Sequence, residues 1–268
     1  MSKFKAVAVH FALSLSIVAI VLFVIFTQWY PPPYFQVNGA QSVLRTLIGV
    51  DLVLGPLLTA ILYRPNKPGL KFDMSFVALV QLSALIFGTS VLYQERPQFL
   101  VFAVDRYVVL PERDVIDTSG TNVDAACENT PSNPCVAVAV IPQDPEVRGE
   151  LTIDVLQTGI DIERRANLWV SLEEGVSRVL ERAKPLSALE KFDPALAETA
   201  AQLRDTHSKV GSPLLLVPIV NKRLESMYAV IDGSNAALLD VIEADPWALF
   251  SKPEAAPNEG EKSVGPAG

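Results

Sequence analysis

The sequence predicts a membrane protein: three transmembrane α-helices followed by an exported α+β domain with an antiparallel sheet. Three observations carry that prediction. Apolar runs lie at about 6–27, 43–62 and 74–93, and as helices each is long enough to cross a ~30 Å hydrocarbon layer. Charge then returns abruptly. Through residue 96 the chain has three acids and seven bases; the whole chain has 30 and 22, which leaves 27 acids against 15 bases in the remainder. The only two cysteines, Cys127 and Cys135, both fall in that acidic remainder. Three such runs in succession rarely belong to one soluble domain. The organisation read from this is a membrane region over 1–96, an α+β domain over 97–250, and a tail over 251–268. That tail is rich in Pro, Gly, Ala and Glu and is expected to be disordered.

Orientation follows from the positive charges. Lys3 and Lys5 precede span one, and Arg64, Lys67 and Lys71 lie between spans two and three. The loop from Gln28 to Ser42 has neither Lys nor Arg. This puts the N-terminus and the second loop in the cytoplasm, and the first loop and the acidic domain outside, in the periplasm of a bacterium. Span one reads as an uncleaved anchor. Its apolar core is longer than a signal peptide's, and no small-x-small site precedes Trp29. The acidic balance argues against nucleic acid and against docking on anionic lipid. Cys127 and Cys135 flank a polar, turn-forming segment, which suits a disulfide in an exported domain. Two thiols alone do not make a metal site.

In the first loop Trp29, Tyr30, Tyr34 and Phe35 surround Pro31, Pro32 and Pro33. The aromatic rings suit the outer membrane interface, and the proline run is expected to be stiff and extended. In span two, Arg45 is near the outer end and can snorkel to the interface. Asp51 is near the middle, where an ionisable group costs on the order of 3 kcal/mol and is usually paired or functional. Six helical residues separate the two, so they point about 120° apart and are no ion pair. Gln81 of span three is at a matching depth. Gly49 and Gly55 permit close helix approach, and Pro56 removes the amide that would bond the Leu52 carbonyl. This patch is either glue for the bundle or a site for a partner helix. His10, in span one, suits packing or hydrogen bonding better than proton relay.

Beyond the membrane, Gln98–Leu110 reads as a central strand, apolar on both faces, and Val136–Ile141 as a second strand stopped by Pro142. Ser171 with Glu174 is a capping-box pattern, followed by Leu172, Val176, Val179 and Leu180 at helical spacing. Asp193-Pro194 is a cap and first-turn proline for a helix through Leu196, Ala200 and Leu203. Leu214–Val220, Met227–Ile231 and Ala236–Ile242 form an antiparallel meander, with a turn at Asp232-Gly233-Ser234. Helices are expected on one side of the sheet.

No phosphate loop, zinc helix or nucleophile elbow is present in the sequence, and the spans offer one central acid where aspartyl proteolysis needs two. Glu163, Glu173 and Glu174 read as solvated helix surface. No catalytic residue, metal or cofactor is expected. Four segments carry a resemblance: Trp29–Phe35, Leu44–Thr59, Lys71–Asp73 and Val101–Tyr107, with a weaker match at Asp245-Pro246-Trp247. Over the first 110 residues or so the chain resembles the TfpX/TfpZ family of type IV pilin accessory proteins, which has Phe at the position of Tyr107. The resemblance implies a non-enzymatic factor of the bacterial inner membrane. Its partners would be a cognate type IV pilin, the lipid bilayer and, through the pilin, other pilus assembly components. Two alternatives remain at this level, a membrane sensor with a periplasmic input domain and a pilin-modifying membrane enzyme.

Overall fold

The computed structural model describes residues 2–65, 67–116, 121–127 and 134–251. The expected disordered tail from 252 onward, and the connection 128–133 between the cysteines, lie outside the described residues. Among the described residues, three helices are long and apolar enough to cross a membrane: Lys3–Trp29, Gln41–Leu62 and Leu70–Gln94.

Span one is helix α1 (Lys3–Val24), closed by a wider π-type turn over Ile25–Trp29. The Ser2 side chain caps it by accepting from the Lys5 N–H. Apart from a buried face at Ala6, Ser14 and Val18, its apolar side chains point outward, with Phe4, Leu13, Ile20 and Phe23 exposed, a surface suited to lipid as a neighbour. A short helix α2 (Tyr34–Val37) follows in the first loop. Span two is α3 (Gln41–Ile48), a π-type stretch Gly49–Leu54, and α4 (Gly55–Leu62). Span three is α5 (Leu70–Gln94), which Gly69 introduces in the left-handed conformation. Span two packs against both neighbours, whereas α1 and α5 meet little directly. It is accordingly the most enclosed span, with 33% of its most apolar window buried against 11% and 17% for the outer two.

The sheet domain starts at once with a hairpin. Strand β1 (Phe99–Ala103) pairs antiparallel with β2 (Arg106–Leu110). The single strand expected over Gln98–Leu110 is therefore two, reversed at Val104-Asp105. Val104 takes φ +59°, a costly conformation for a β-branched residue that only a tight reversal explains. Helix α6 (Thr121–Cys127) ends at a disulfide from Cys127 to Cys135, with Cα atoms 5.5 Å apart, at the start of β3 (Cys135–Ala139). Helix α7 (Pro145–Thr158) leads through short turns to β4 (Trp169–Ser171) and α8 (Leu172–Arg182). Ser171 caps α8 as expected, its hydroxyl accepting from the Glu174 N–H at 3.2 Å. A two-residue β5 (Lys184–Pro185), α9 (Leu186–Phe192) and α10 (Ala197–Thr206) follow. Asp193-Pro194 opens a 3-10 turn that runs into α10. The expected meander is β6 (Leu214–Val220), β7 (Ser226–Asp232) and β8 (Leu238–Ile242), and helix α11 (Trp247–Phe250) closes the described chain.

The strands form one sheet in the order β4-β3-β1-β2-β6-β7-β8, with β5 on β6. It is mostly antiparallel, but β1 with β3 and β2 with β6 run parallel, so the sheet is mixed. Helices cover both faces, where one was expected. On one face Leu100, Phe102, Tyr107, Val109, Ile219 and Ile231 pack against α8 through Val179. On the other, α6 brings Ala126 to Val101 and Val108, while α9 and α10 bring Leu189 and Leu203 to Leu216 and Val230. Strands apolar on both faces require this second layer. Tyr107, fully buried, donates its hydroxyl to the Ala236 carbonyl at 3.0 Å. The hydroxyl that a Phe would lack is thus satisfied.

Candidate functional site

Span two sets the geometry of the membrane region. Pro56 has no N–H, and its ring crowds the preceding turn. The helix widens there, and the Gly55 N–H reaches back five residues to the Val50 carbonyl. Such wide turns are uncommon and concentrate at functional positions. Asp51 lies inside this turn and is buried, 6% exposed. The Gln81 Nε2 donates to the Asp51 backbone carbonyl at 3.5 Å. Carboxyl oxygen Oδ2 is buried and has no hydrogen-bond partner among the described residues.

Asp51 and Gln81 line a cavity of about 410 Å³ between the three spans. Span one contributes Val9, His10, Leu13 and Ser14, span two Asp51 and Thr59, span three Ala78, Gln81 and Leu82. The four buried polar side chains of the described spans, Ser14, Asp51, Thr59 and Gln81, all lie on this one lining. His10 hydrogen-bonds Thr59 through Nδ1 at 2.7 Å. An apolar groove with a polar floor has therefore formed where spans one and three leave a gap over span two.

The residues read from sequence divide accordingly. Asp51 and Gln81 come together as expected, and Gly55 is their meeting point: a Cβ there would stand 2.0 Å from the Gln81 Nε2. Pro56 is buried beside them. Gly49 and Arg45 do not join the group. Nothing lies within 4 Å of a Cβ at Gly49, so no helix approaches closely there. Arg45 is exposed at the outer end, beside Arg223, Glu225 and Glu243 of the sheet domain. Ser14 and Thr59 were missed. His10 and Ser14, four residues apart on one helical face, were the available signal.

A second constellation joins the two regions. The first loop does not lie extended at the lipid interface. It turns through Pro31, Pro32 and Pro33, the Pro32–Pro33 bond being cis, and inserts into protein. Tyr30 is fully buried and donates to the Leu92 carbonyl at 2.7 Å; Tyr34 and Val37 sit in the core of the sheet domain. Those two tyrosines, expected at headgroup depth, are thus covered by protein, because that cover supplies apolar surface for the ring and, for Tyr30, an acceptor. Burial pushes both phenol pKa values up, with the Glu95 charge adding to the effect at Tyr30. Trp29 and Phe35 are half-buried, edge-on to Tyr93 and Phe26 with ring centres 5.2 and 4.8 Å apart. Asn38 donates to the Glu95 carbonyl at 2.6 Å, and Asn221 to the Val37 carbonyl at 2.8 Å. Arg113 and Lys222 pair with the Glu95 carboxylate at the top of span three.

Among the described residues no group of His, Cys, Asp or Glu is arranged to hold a metal ion. The described residues thus present a groove between the three spans and a sheet domain joined to them through the first loop.

Comparison with known proteins gives this architecture a relationship. Residues 1–39 match the family model described as fimbrial assembly protein FimB. The fimbrial assembly protein of serogroup I from Dichelobacter nodosus is 31% identical over 251 residues, covering 91% of this chain and 96% of that protein. The serogroup E1 protein is 28% identical with the same coverage. The protein of serogroups C1 and C2 is 38% identical over 115 residues, 42% of this chain. No solved structure matches significantly. With spans, junction and sheet domain all inside a full-length alignment to such a relative, the chain belongs to the fimbrial assembly protein family.

Proposed function

We propose that this protein is a non-enzymatic accessory factor of type IV fimbrial assembly that binds its cognate pilin in both the membrane and the periplasm. In this reading it is held in the bacterial inner membrane, with the N-terminus in the cytoplasm and the sheet domain in the periplasm. It serves the role implied by the TfpX/TfpZ resemblance of its first 110 residues. The observation that carries the reading is the 31% identity to a fimbrial assembly protein along nearly the whole of both chains. Three apolar spans support the membrane location, and the placement of Lys3, Lys5, Arg64, Lys67 and Lys71 supports the orientation. A subunit that waits in the membrane with its helix in lipid and its head outside would meet a groove below and a fixed sheet above.

Deletion of the gene tests the role, with surface fimbriae and total pilin counted separately. The expected result is loss of surface fimbriae with pilin still made. Fimbriae at parental number overturn the reading. Orientation is tested by a reporter active only in the periplasm. Fused after Ile242 it is expected to be active, and near Asn66 silent; the reverse pattern overturns the topology.

A further inference from the structure

We infer that the groove between spans one and three is a seat for one transmembrane helix, the apolar helix of the fimbrial subunit, and that a hydrogen-bond donor on that helix meets the Asp51 carboxyl at mid-membrane depth. The inference rests on the proposed function for the identity of the occupant. The seat itself is argued from its lining.

Depth is the first argument. Asp51 is eleven residues from the inner end of span two at Leu62, Gln81 eleven from the inner end of span three at Leu70, and Ser14 eleven from Lys3. At 1.5 Å per helical residue the three lie at one level, near the middle of the hydrocarbon layer. Satisfaction is the second. Asp51 lines the cavity and is more than nine-tenths buried, and its carboxyl carries an oxygen, Oδ2, with no partner among the described residues. Gln81 is held in place by Gly55, which has room for it only because it lacks a Cβ. A lipid acyl chain would fill the volume but bring no donor to that depth, because its polar atoms stay at the interface. A helix delivers a side chain there, and an intramembrane hydrogen bond then satisfies the carboxyl. Shape is the third. Leu13, Ala78 and Leu82 form apolar walls open to the lipid side, with Leu13 and Leu82 more than half exposed, so a helix can enter sideways.

The test uses the full-length protein in native membranes. A photo-crosslinking phenylalanine derivative replaces Leu13, within the groove, or Val53, an equally exposed residue of span two outside it. Adducts are identified by antibody against the fimbrial subunit. The expected result is a subunit adduct from position 13 and none from position 53. Ala78→Trp, which plugs the groove from an exposed wall, is expected to reduce that adduct about tenfold with the protein still abundant. Asp51→Leu removes the acceptor, whereas Asp51→Asn keeps a carbonyl oxygen. The leucine variant is expected to lower the yield by about fivefold to tenfold, the loss of one intramembrane hydrogen bond. Lipid adducts alone, a second copy of this chain, or another membrane protein at position 13 overturn the seat. If deletion nevertheless abolishes fimbriae, the assembly reading stands without it. An undiminished adduct in Asp51→Leu overturns the hydrogen bond to Asp51. Fimbriae unaffected by deletion overturn the assembly reading itself, whatever the groove captures.

Discussion

Asn221 in the sheet domain and Asp51 in the membrane are buried to nearly the same degree, 2% and 6% exposed, yet they are treated oppositely. Asn221 uses everything it has. Its Nδ2 donates to the Val37 carbonyl at 2.8 Å and to Glu225 Oε2 at 2.7 Å, and its Oδ1 accepts from the N–H groups of Arg223 and Glu225. Asp51 has Gln81 on one side and an unpartnered oxygen on the other. A buried polar group whose task is to hold one chain together is saturated by that chain. One left half-open, in the surroundings where an open hydrogen bond is most expensive, is what the proposed partner helix would complete.

The contrast can be broken in several ways, the largest at the junction. Tyr34→Ala removes an aromatic ring from the sheet core and is expected to cost about 3–5 kcal/mol, read as a lowered thermal midpoint of purified protein in detergent. An unchanged midpoint would mean the loop merely rests on the domain. Asn221→Ala is expected to cost about 2–3 kcal/mol, since it orphans the Val37 carbonyl and two loop amides. Gly55→Ala forces Gln81 out of position and is expected to cost about 1–3 kcal/mol, whereas Gly49→Ala, with open space around it, is expected to change nothing measurable. Equal effects at the two glycines would remove Gln81 from the argument. Asp51→Asn is expected to cost less than about 1 kcal/mol, because its structural bond to Gln81 can be kept; a loss as large as that of Asn221→Ala would make Asp51 a structural group and end the contrast.

The smallest expected effect concerns pH. Burial, with the nearby Asp161 charge adding to it, raises the Glu163 carboxyl above the usual glutamate range. The folded state therefore disfavours its ionised form, and stability falls as pH rises through that range and up to the raised value. Glu163→Gln cannot ionise, so it should be slightly more stable than the parent above this window and no more stable below it. Thermal midpoints at acidic and neutral pH check the sign.

Much of this molecule was legible in its sequence, and the misses have physical causes. The spans announce themselves because lipid demands uninterrupted apolar helix, and the meander because β6, β7 and β8 are joined by local turns. Helix α7 was legible but overlooked. Asp144-Pro145 carries the same cap-and-proline signal as Asp193-Pro194, and Asp144 accepts from the Glu146 and Val147 amides. The break at Val104 was not legible, since a β-branched residue with positive φ contradicts local preference and is imposed by the pairing of Phe99 with Leu110. Nor were the parallel pairings, which depend on partners far away in the chain. At the groove, Asp51 and Gln81 could be matched by depth. That Gly49 faces open space and Gly55 faces Gln81 depends on the wide turn before Pro56, which shifts the helical register. The aromatic loop misled for a related reason: an amphipathic ring suits a membrane interface and a protein core equally well, and only tertiary contacts decide.

The eleven residues between the first two spans are joined at once to the sheet's core, through Tyr34 and Val37, and, through Tyr30 and Asn38, to the top of span three. Such a segment is the opposite of a tether. A tethered head would swing freely and hide what happens below it, whereas this one is keyed to the helices like a handle to its shaft. A tilt of span one or three against the sheet is therefore opposed by the buried contacts this segment makes with both.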